Sequence, residues 1–251
     1  MTMKYLGLLE TDDLYSDLLE DYKSYGTMFR HFFNRLPSSS HELQYRHYRV
    51  KQGELPQTFD ECDAYLITGS KTGVYDNERW IEPLSKWIKA AHDKGAPLIG
   101  ICFGHQIIAH SLGGYAQKSS KGWGVGVHMT TIEHRPAWLN DQRSHMRLIY
   151  SHQDQVEQLP PNAKRLASSR FCTNASFFID DCVLTFQGHP EFTPEYFLRL
   201  LERRRETIGD EVLDAGFSSL KQPTDADDIG AWILEFIRLP RMKNLSKNKL
   251  S

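Results

Sequence analysis

Apolar residues follow two spacings along the chain, and each spacing predicts one kind of element. Short apolar runs bounded by turn residues predict strands, whereas apolar residues three and four positions apart predict helices. In the first half of the chain, strands are predicted at 4–9, 41–50, 63–68 and 97–101. Helices are predicted at 16–33, 80–91 and 107–112. This alternation favours a parallel sheet with helices on both faces.

The second half of the chain has short strands with little helix between them. Strands are predicted at 126–134, 146–150, 165–169, 176–179 and 183–187, and helices at 194–207 and 225–238. Strands without crossover helices between them predict antiparallel pairs attached to the main sheet. We therefore expect an α/β fold: an open, mostly parallel (flavodoxin-like) sheet flanked by helices, with an antiparallel strand extension. No repeat or linker marks a boundary, which predicts one domain over 1–240 and a polar tail over 241–251.

Composition narrows the class of partner. The chain has 251 residues, of which 40% are hydrophobic and 25% charged, and its formal net charge is −2. These ordinary values give no electrostatic reason to expect nucleic acid or a membrane surface as partner. The N-terminal residues lack the basic start and apolar stretch of a signal peptide, and no run approaches the ~18 apolar residues of a transmembrane helix. We expect a cytoplasmic protein whose four cysteines are thiols. These cysteines have no metal-type spacing such as C-x-x-C. Neither a metal nor a cofactor is expected.

Cys102 lies where the predicted strand at 97–101 ends and the next helix begins. Gly100 and Gly104 flank it in the pattern G-x-C-x-G. A nucleophile on such a tight turn has a strained backbone, and glycines two residues away remove collisions that bulkier residues would cause. The positive end of the following helix would favour the reactive thiolate. A buried structural cysteine is the alternative, but this context favours a nucleophile.

His189 is the best candidate among eleven histidines for a base that serves this thiolate. It follows the predicted strand at 183–187, and ligand sites of open α/β sheets gather at the carboxyl ends of strands. Pro190 favours an extended backbone at His189, so that His189 and Glu191 face the same side. Glu191 would orient the imidazole as the third member of a catalytic triad.

An oxyanion hole should complete the site. One N–H would come from Phe103, the residue after the nucleophile, and a second from the loop that contains Gly69 and Ser70. A plain turn glycine at position 69 is the alternative.

Together these segments resemble the class-I, triad-type glutamine amidotransferases. That family has a strand ending in Gly-x-Cys-x-Gly-His-Gln and, much later, a Gly-His-Pro-Glu segment, and both are intact here. A third segment, 151–156, also matches, and the resemblance runs from about residue 60 to residue 195.

The resemblance implies that Cys102 forms a γ-glutamyl thioester while ammonia leaves, after which water releases glutamate. It assigns His189 as general base and acid, Glu191 as its orienting partner, and Gly69 and Phe103 as oxyanion donors. Further residues would hold the amino-acid end of the substrate, partly through backbone: Gln106, Ser151, His152 and Gln153. The loop at 69–73 (Gly-Ser-Lys-Thr-Gly) departs from the family, where Gly-Gly-Pro or Gly-Pro-Gly is common.

Three functions remain open on the sequence. The first is a glutaminase or amidotransferase that cleaves glutamine and passes ammonia to a synthetase partner. The second is a γ-glutamyl peptidase that acts on glutathione-type peptides or conjugates, because the stand-alone length and the Ile-Thr-Gly-Ser loop are similar to the cytosolic γ-glutamyl peptidases. The third, which the intact triad disfavours, is a catalytically silent binding or regulatory protein. A small γ-glutamyl compound is the expected substrate.

A short run of charges at 202–206 (Glu-Arg-Arg-Arg-Glu) lies on a predicted C-terminal helix. We interpret it as a solvated helix face; docking of a partner by its arginines is the less favoured alternative.

Overall fold

A computed structural model describes residues 3–37 and 43–240. Its strands are β1 (Lys4–Glu10), β2 (Leu43–Arg49), β3 (Ala64–Ile67), β4 (Leu98–Ile101), β5 (Tyr115–Lys118), β6 (Gly124–Ile132), β7 (His145–His152), β8 (Asp154–Gln158), β9 (Lys164–Ser168), β10 (Ser176–Ile179) and β11 (Val183–Phe186). Its helices are α1 (Leu19–Tyr22), α2 (Tyr25–Asn34), α3 (Ile81–Asp93), α4 (Phe103–Ser111), α5 (Pro194–Arg203), α6 (Arg205–Ile208), α7 (Asp210–Ser219) and α8 (Ala226–Arg238).

Nine strands form one sheet in the order β2-β1-β3-β4-β11-β10-β9-β6-β7. The neighbours from β2 to β11 pair in parallel, and those from β11 to β7 pair antiparallel. The predicted fold class, a parallel sheet with an antiparallel extension, is confirmed. A separate two-stranded sheet of β5 and β8 was not predicted.

The sheet is buried on both faces because side chains alternate along each strand. In β3, Leu66 belongs to an apolar cluster with α2 and α8, whereas Tyr65 and Ile67 belong to a cluster with α3 and α4. A third cluster packs α5 and α7 against β6 and β7. Because β1, β3, β4 and β11 run in parallel, their carboxyl ends meet at one edge of the sheet, where loops can carry polar side chains.

Two predicted helices are interrupted in the structure. The stretch at 16–33 contains a 3₁₀ turn, α1 and α2, separated at Lys23, whose φ is 62°. Ser24 caps the N-terminus of α2, which begins at Tyr25, because its side chain accepts a hydrogen bond from the N–H of Thr27. The stretch at 194–207 ends its first helix at Arg203 and resumes at Arg205. Helix α7 was not predicted.

Some expectations concern the limits of the chain or its surroundings. The division into one domain at 1–240 and a tail at 241–251 stays a prediction, and the tail lies outside the described residues. None of the described helices is long and apolar enough to cross a membrane. Within the described ranges, no group of three or more His, Cys, Asp or Glu residues is arranged to hold a metal ion.

Candidate active site

Cys102 occupies the turn between β4 and α4 in a strained conformation. Its φ is 54° and its ψ is −103°, a region that non-glycine residues seldom adopt. Its N–H donates to the carbonyl oxygen of Phe186 in β11 at 2.9 Å, and its own carbonyl accepts from Gln106 in α4 at 3.1 Å. The turn is therefore tied to both the sheet and the helix, which keeps the side chain at the edge of the sheet.

The flanking glycines are required by close backbone contacts. A Cβ at Gly100 would lie 2.5 Å from the carbonyl oxygen of Gly104, and a Cβ at Gly104 would overlap the carbonyl oxygen of Ile67. The N–H of Gly104 also donates to the carbonyl of Thr68 at 3.1 Å. Only glycine allows α4 to approach β3 and β4 this closely.

His189 and Glu191 lie beside the cysteine. The Nδ1 of His189 donates to Oε1 of Glu191 at 2.8 Å, and its backbone N–H donates to Ile149 at 2.8 Å. The imidazole also stacks on Phe192 with ring centroids 3.9 Å apart. Its remaining nitrogen, Nε2, is left for the hydrogen bond with the side chain of Cys102. The three predicted residues thus come together in space.

The charges in this group favour a protonated imidazole. Burial by itself would lower the pKa of His189, but the negative charge of Glu191 and the sulfur of Cys102 outweigh burial and raise that pKa to about 10. An imidazolium beside a sulfur is the arrangement that stabilises a thiolate.

The loop after β3 lies against the same two side chains. A Cβ at Gly69 would be 3.0 Å from Cε1 of His189 and 3.6 Å from Cβ of Cys102. The hydroxyl of Thr11, just beyond β1, donates to the carbonyl oxygen of Gly69 at 3.1 Å. Phe103 is the first residue of α4, so its N–H has no acceptor within the helix. Gly69 and Phe103 therefore both lie beside Cys102, and their role as oxyanion donors stays a prediction.

The residues expected at the amino-acid end of the substrate also line the site. Nε2 of Gln106 donates to the carbonyl of Asp154 at 2.9 Å and to Oε1 of Gln187 at 3.0 Å, so its amide is held in a buried network. Nδ1 of His152 donates to the same carbonyl of Asp154 at 2.9 Å. Burial lowers the pKa of His152 to about 3, so this ring is neutral. The carbonyl of Gln153 accepts from Ser119 at 3.1 Å.

Comparison with known proteins identifies the family. The model of the class-I glutamine amidotransferase family matches residues 18–204. This chain belongs to the class-I glutamine amidotransferase family. The γ-glutamyl peptidases 4 and 2 of Arabidopsis thaliana are 32% and 31% identical to it; the matches cover 80% and 70% of this chain and 80% and 73% of theirs. A glutamine amidotransferase structure from Thermotoga maritima has the same fold, with a TM-score of 0.71 at 17% identity over 94% of this chain and 96% of that one.

Cys102 lines a cleft of about 330 Å³. Ser70, Ser151 and Gln153 are among the lining residues that the sequence indicated. The lining residues that were not predicted as site residues are Tyr15, Lys71, Thr72, Gly73, Tyr75, Asp76, Lys118, Trp123, Asp154, Arg204 and Thr207. For Lys71, Thr72 and Gly73, the sequence did contain an indication, because the loop at 69–73 differs from the family pattern.

Two walls of this amidotransferase cleft are joined by one hydrogen bond. The hydroxyl of Tyr75, from the loop before α3, donates to Oδ1 of Asp154 in β8 at 3.0 Å. Burial raises the pKa of Asp154, although the bond from Tyr75 acts in the opposite direction. The neighbouring carboxylate of Asp76 accepts from the N–H of Gly73 at 2.8 Å. Both carboxylates of the cleft are therefore engaged with the loop.

The interpretation of residues 202–206 as a solvated face is wrong for one of its residues. Arg204 lines the cleft and donates from Nη1 to Oγ of Ser151 at 2.9 Å. Arg203 and Arg205 pair instead with surface carboxylates. The predicted helix through 194–207 is interrupted at Arg204, and at this break the side chain of Arg204 reaches Ser151.

Proposed function

We propose that this protein is a cysteine hydrolase that cleaves γ-glutamyl amide bonds through a γ-glutamyl thioester on Cys102. The observation that carries the proposal is the hydrogen-bonded series Cys102–His189–Glu191 at the edge of the sheet. In this proposal Gly69 and Phe103 donate to the oxyanion, and the residues around Gln106 and 151–153 hold the γ-glutamyl group.

The proposed reaction has two steps. The Cys102 thiolate attacks the γ-carbonyl carbon, and the resulting oxyanion accepts the N–H groups of Phe103 and Gly69. Protonated His189 gives its proton to the leaving amine as the C–N bond breaks, which leaves the thioester. His189 then takes a proton from water, whose oxygen attacks the thioester carbon; glutamate leaves and the thiolate is restored.

The shape of the cleft supports a γ-glutamyl peptide or conjugate as the substrate. A volume of about 330 Å³ lies within the range of small-molecule sites, and the cleft is open towards solvent. This volume leaves room for a leaving group that is larger than ammonia. The similarity to two γ-glutamyl peptidases points in the same direction. Glutamine with an ammonia-accepting synthetase is the alternative, because the same thioester chemistry releases ammonia from glutamine.

Parallel assays test the proposal. The kcat/KM for glutamate release from a γ-glutamyl dipeptide should exceed that for ammonia release from glutamine, and Cys102→Ser should abolish both. A glutamine-analogue diazoketone should add one label to Cys102, measured by mass spectrometry, with Cys102→Ser as the unlabelled control. Glutamine turnover far above dipeptide turnover would contradict the peptidase assignment. The absence of both turnover and label would contradict the hydrolase itself.

A further inference from the structure

Three consecutive arginines have different partners. Arg203 pairs with Asp17 at 2.6 Å, and Arg205 pairs with Glu202 at 2.9 Å and Asp210 at 2.7 Å. Across residues 3–37 and 43–240, no carboxylate lies within the 4.0 Å ion-pair distance of Arg204. Its polar side-chain partner is the hydroxyl of Ser151. The middle arginine of the run therefore has a positive charge that no carboxylate of the described residues neutralises at close range.

Arg204 lies at the break between α5 and α6, and this break places it in the cleft. Thr193 and Pro194 begin α5, which ends at Arg203, and Arg204 caps α6. Its side chain is half-buried, with the guanidinium carbon 5.8 Å from the ring centre of Trp123, another residue of the cleft. Arg204 also lines a small cavity, and Cys102, Gly69 and His189 are among the other residues that line it. The guanidinium is therefore close to the position of the proposed thioester.

An unpaired guanidinium in this position has a physical cost. Partial burial removes water from a charge that cannot be neutralised by proton loss, so it is normally offset by an ion pair. Ser151 accepts from one of five N–H donors, and the planar fork matches both oxygens of a carboxylate. The carboxylates of the cleft are engaged elsewhere: Asp154 accepts from Tyr75, and Asp76 accepts from Gly73.

We propose that Arg204 binds a carboxylate of the substrate and so makes the enzyme selective for anionic γ-glutamyl compounds. The inference rests on the proposed function. A γ-glutamyl peptide has two carboxylates of the same chemistry, the α-carboxylate of its glutamyl group and the C-terminal carboxylate of its leaving group. The shared contact with Ser151, which belongs to the segment expected to hold the amino-acid end, favours the first.

Steady-state kinetics with three probes separates these carboxylates. The probes are γ-glutamylglycine, its α-carboxamide and its C-terminal carboxamide, each assayed with wild type, Arg204→Gln and Arg204→Lys. Arg204→Gln should lower kcat/KM for γ-glutamylglycine by about 10- to 100-fold, mainly through KM, because a charge-assisted bidentate pair is lost. Arg204→Lys should lower kcat/KM by a smaller factor, since lysine keeps the positive charge but lacks the planar, two-pronged set of donors of a guanidinium.

The two carboxamides identify the carboxylate that is recognised. The probe that lacks this carboxylate should be a poor substrate for wild type, and Arg204→Gln should lower its kcat/KM little further. For the other carboxamide, Arg204→Gln should lower kcat/KM as much as it does for γ-glutamylglycine. Arg203→Gln is the matched control, and it should stay within about twofold of wild type on all probes because it removes an exposed ion pair. Equal losses on all three probes, or no loss on any, would overturn the inference while leaving the hydrolase function in place.

Binding to an inactive protein covers the case in which wild type turns over none of the probes. That result would contradict the proposed function, and calorimetry with Cys102→Ser would then decide the inference separately. γ-Glutamylglycine should bind Cys102→Ser at least tenfold more tightly than it binds the variant that also has Arg204→Gln. Equal affinity, or no binding to either protein, would overturn the role of Arg204.

Discussion

The two sides of the cleft are built differently. On the nucleophile side, Cys102, His189 and Glu191 are at most 5% exposed and are held by strand ends, backbone hydrogen bonds and glycine contacts. The facing wall consists of the loop at 70–76, the residues Lys118 and Asp154 at the ends of β5 and β8, and Arg204. Its side chains are largely half-buried or exposed, and Tyr75 is 51% exposed.

This difference separates the residues proposed to carry out the reaction from those that can contact the rest of the substrate. The proposed reacting groups follow β4 and β11, which are neighbours in the sheet, so a side chain added at the glycines that flank Cys102 would disturb the core as well as the reaction. The facing wall carries polar side chains on a loop, a small sheet and a helix break. These side chains can change substrate preference without disturbing the nine-stranded sheet. Variants on the two sides should therefore differ in which property they alter.

The largest effect is expected for the nucleophile and its base. Cys102→Ser or His189→Ala should lower kcat by about 10⁴-fold or more, because members of a triad act as a unit. Circular dichroism should stay close to that of wild type for both variants, which would show that the fold is retained. Cys182→Ser is the control, outside the cleft, and should keep full activity. Appreciable turnover by either triad variant would mean that the reacting groups are assigned wrongly.

Glu191→Gln should have a smaller effect that depends on pH. The loss in kcat should be about 10²-fold, within the range of general acid–base contributions. Without the carboxylate the pKa of His189 falls from about 10 towards its ordinary value of 6.5, so the alkaline limb of the rate profile should move to lower pH. A pH–rate profile of both proteins measures this shift, and an unchanged alkaline limb would contradict the proposed ion pair.

The same substitution has a consequence for stability. A pKa raised in the folded state stabilises the protein fully below the unfolded value of 6.5, and that contribution is lost as pH rises towards 10. Urea unfolding at pH 6.5, 8 and 10 should therefore show a difference between wild type and Glu191→Gln that becomes smaller with rising pH. A difference that grows over this range would argue against a protonated His189.

Gly104→Ala tests the rigid construction of the nucleophile side. The new methyl group would overlap the carbonyl of Ile67, and we expect a loss of about 3 kcal/mol in the free energy of unfolding together with reduced kcat. Gly53→Ala is the control. The φ of Gly53 is 84°, but a Cβ there would have no atom of the other described residues within 4 Å apart from its chain neighbours, so only about 1 kcal/mol of backbone strain is expected. Denaturant unfolding compares the two, and equal losses would show that close packing at Gly104 is unimportant.

The smallest effect is expected on the facing wall. Tyr75→Phe removes the bond to Asp154, and this exposed contact should change KM by about threefold while leaving kcat and stability unchanged. Tyr115→Phe is the matched control, because Tyr115 is similarly exposed but bonds to Gln117 outside the cleft. A large fall in kcat for Tyr75→Phe would break the proposed separation between reaction and recognition.

Several features were missed by the sequence reasoning for a common reason. The strands β5 and β8 read Tyr-Ala-Gln-Lys and Asp-Gln-Val-Glu-Gln, and such short polar segments have little apolar alternation. They become strands because a distant segment supplies the hydrogen bonds. Helix α7 is similar, since Gly126 in β6 lets its Gly216 approach closely. The interruption at Lys23 was hidden by apolar residues that continue at helical spacing on either side.

The sequence by itself determined the α/β class, the order of the main strands and helices, and the identity of the proposed triad. Those features depend on short-range rules: apolar periodicity, the glycines around Cys102, and the extended backbone of His189-Pro190-Glu191. Only the tertiary structure decided which side chains face Cys102 across the cleft. Arg204 is one of three consecutive arginines in the sequence, and its position in the cleft follows from a helix break packed beside Ser151 and Trp123. Such long-range contacts depend on the packing of separate elements, which local patterns do not specify.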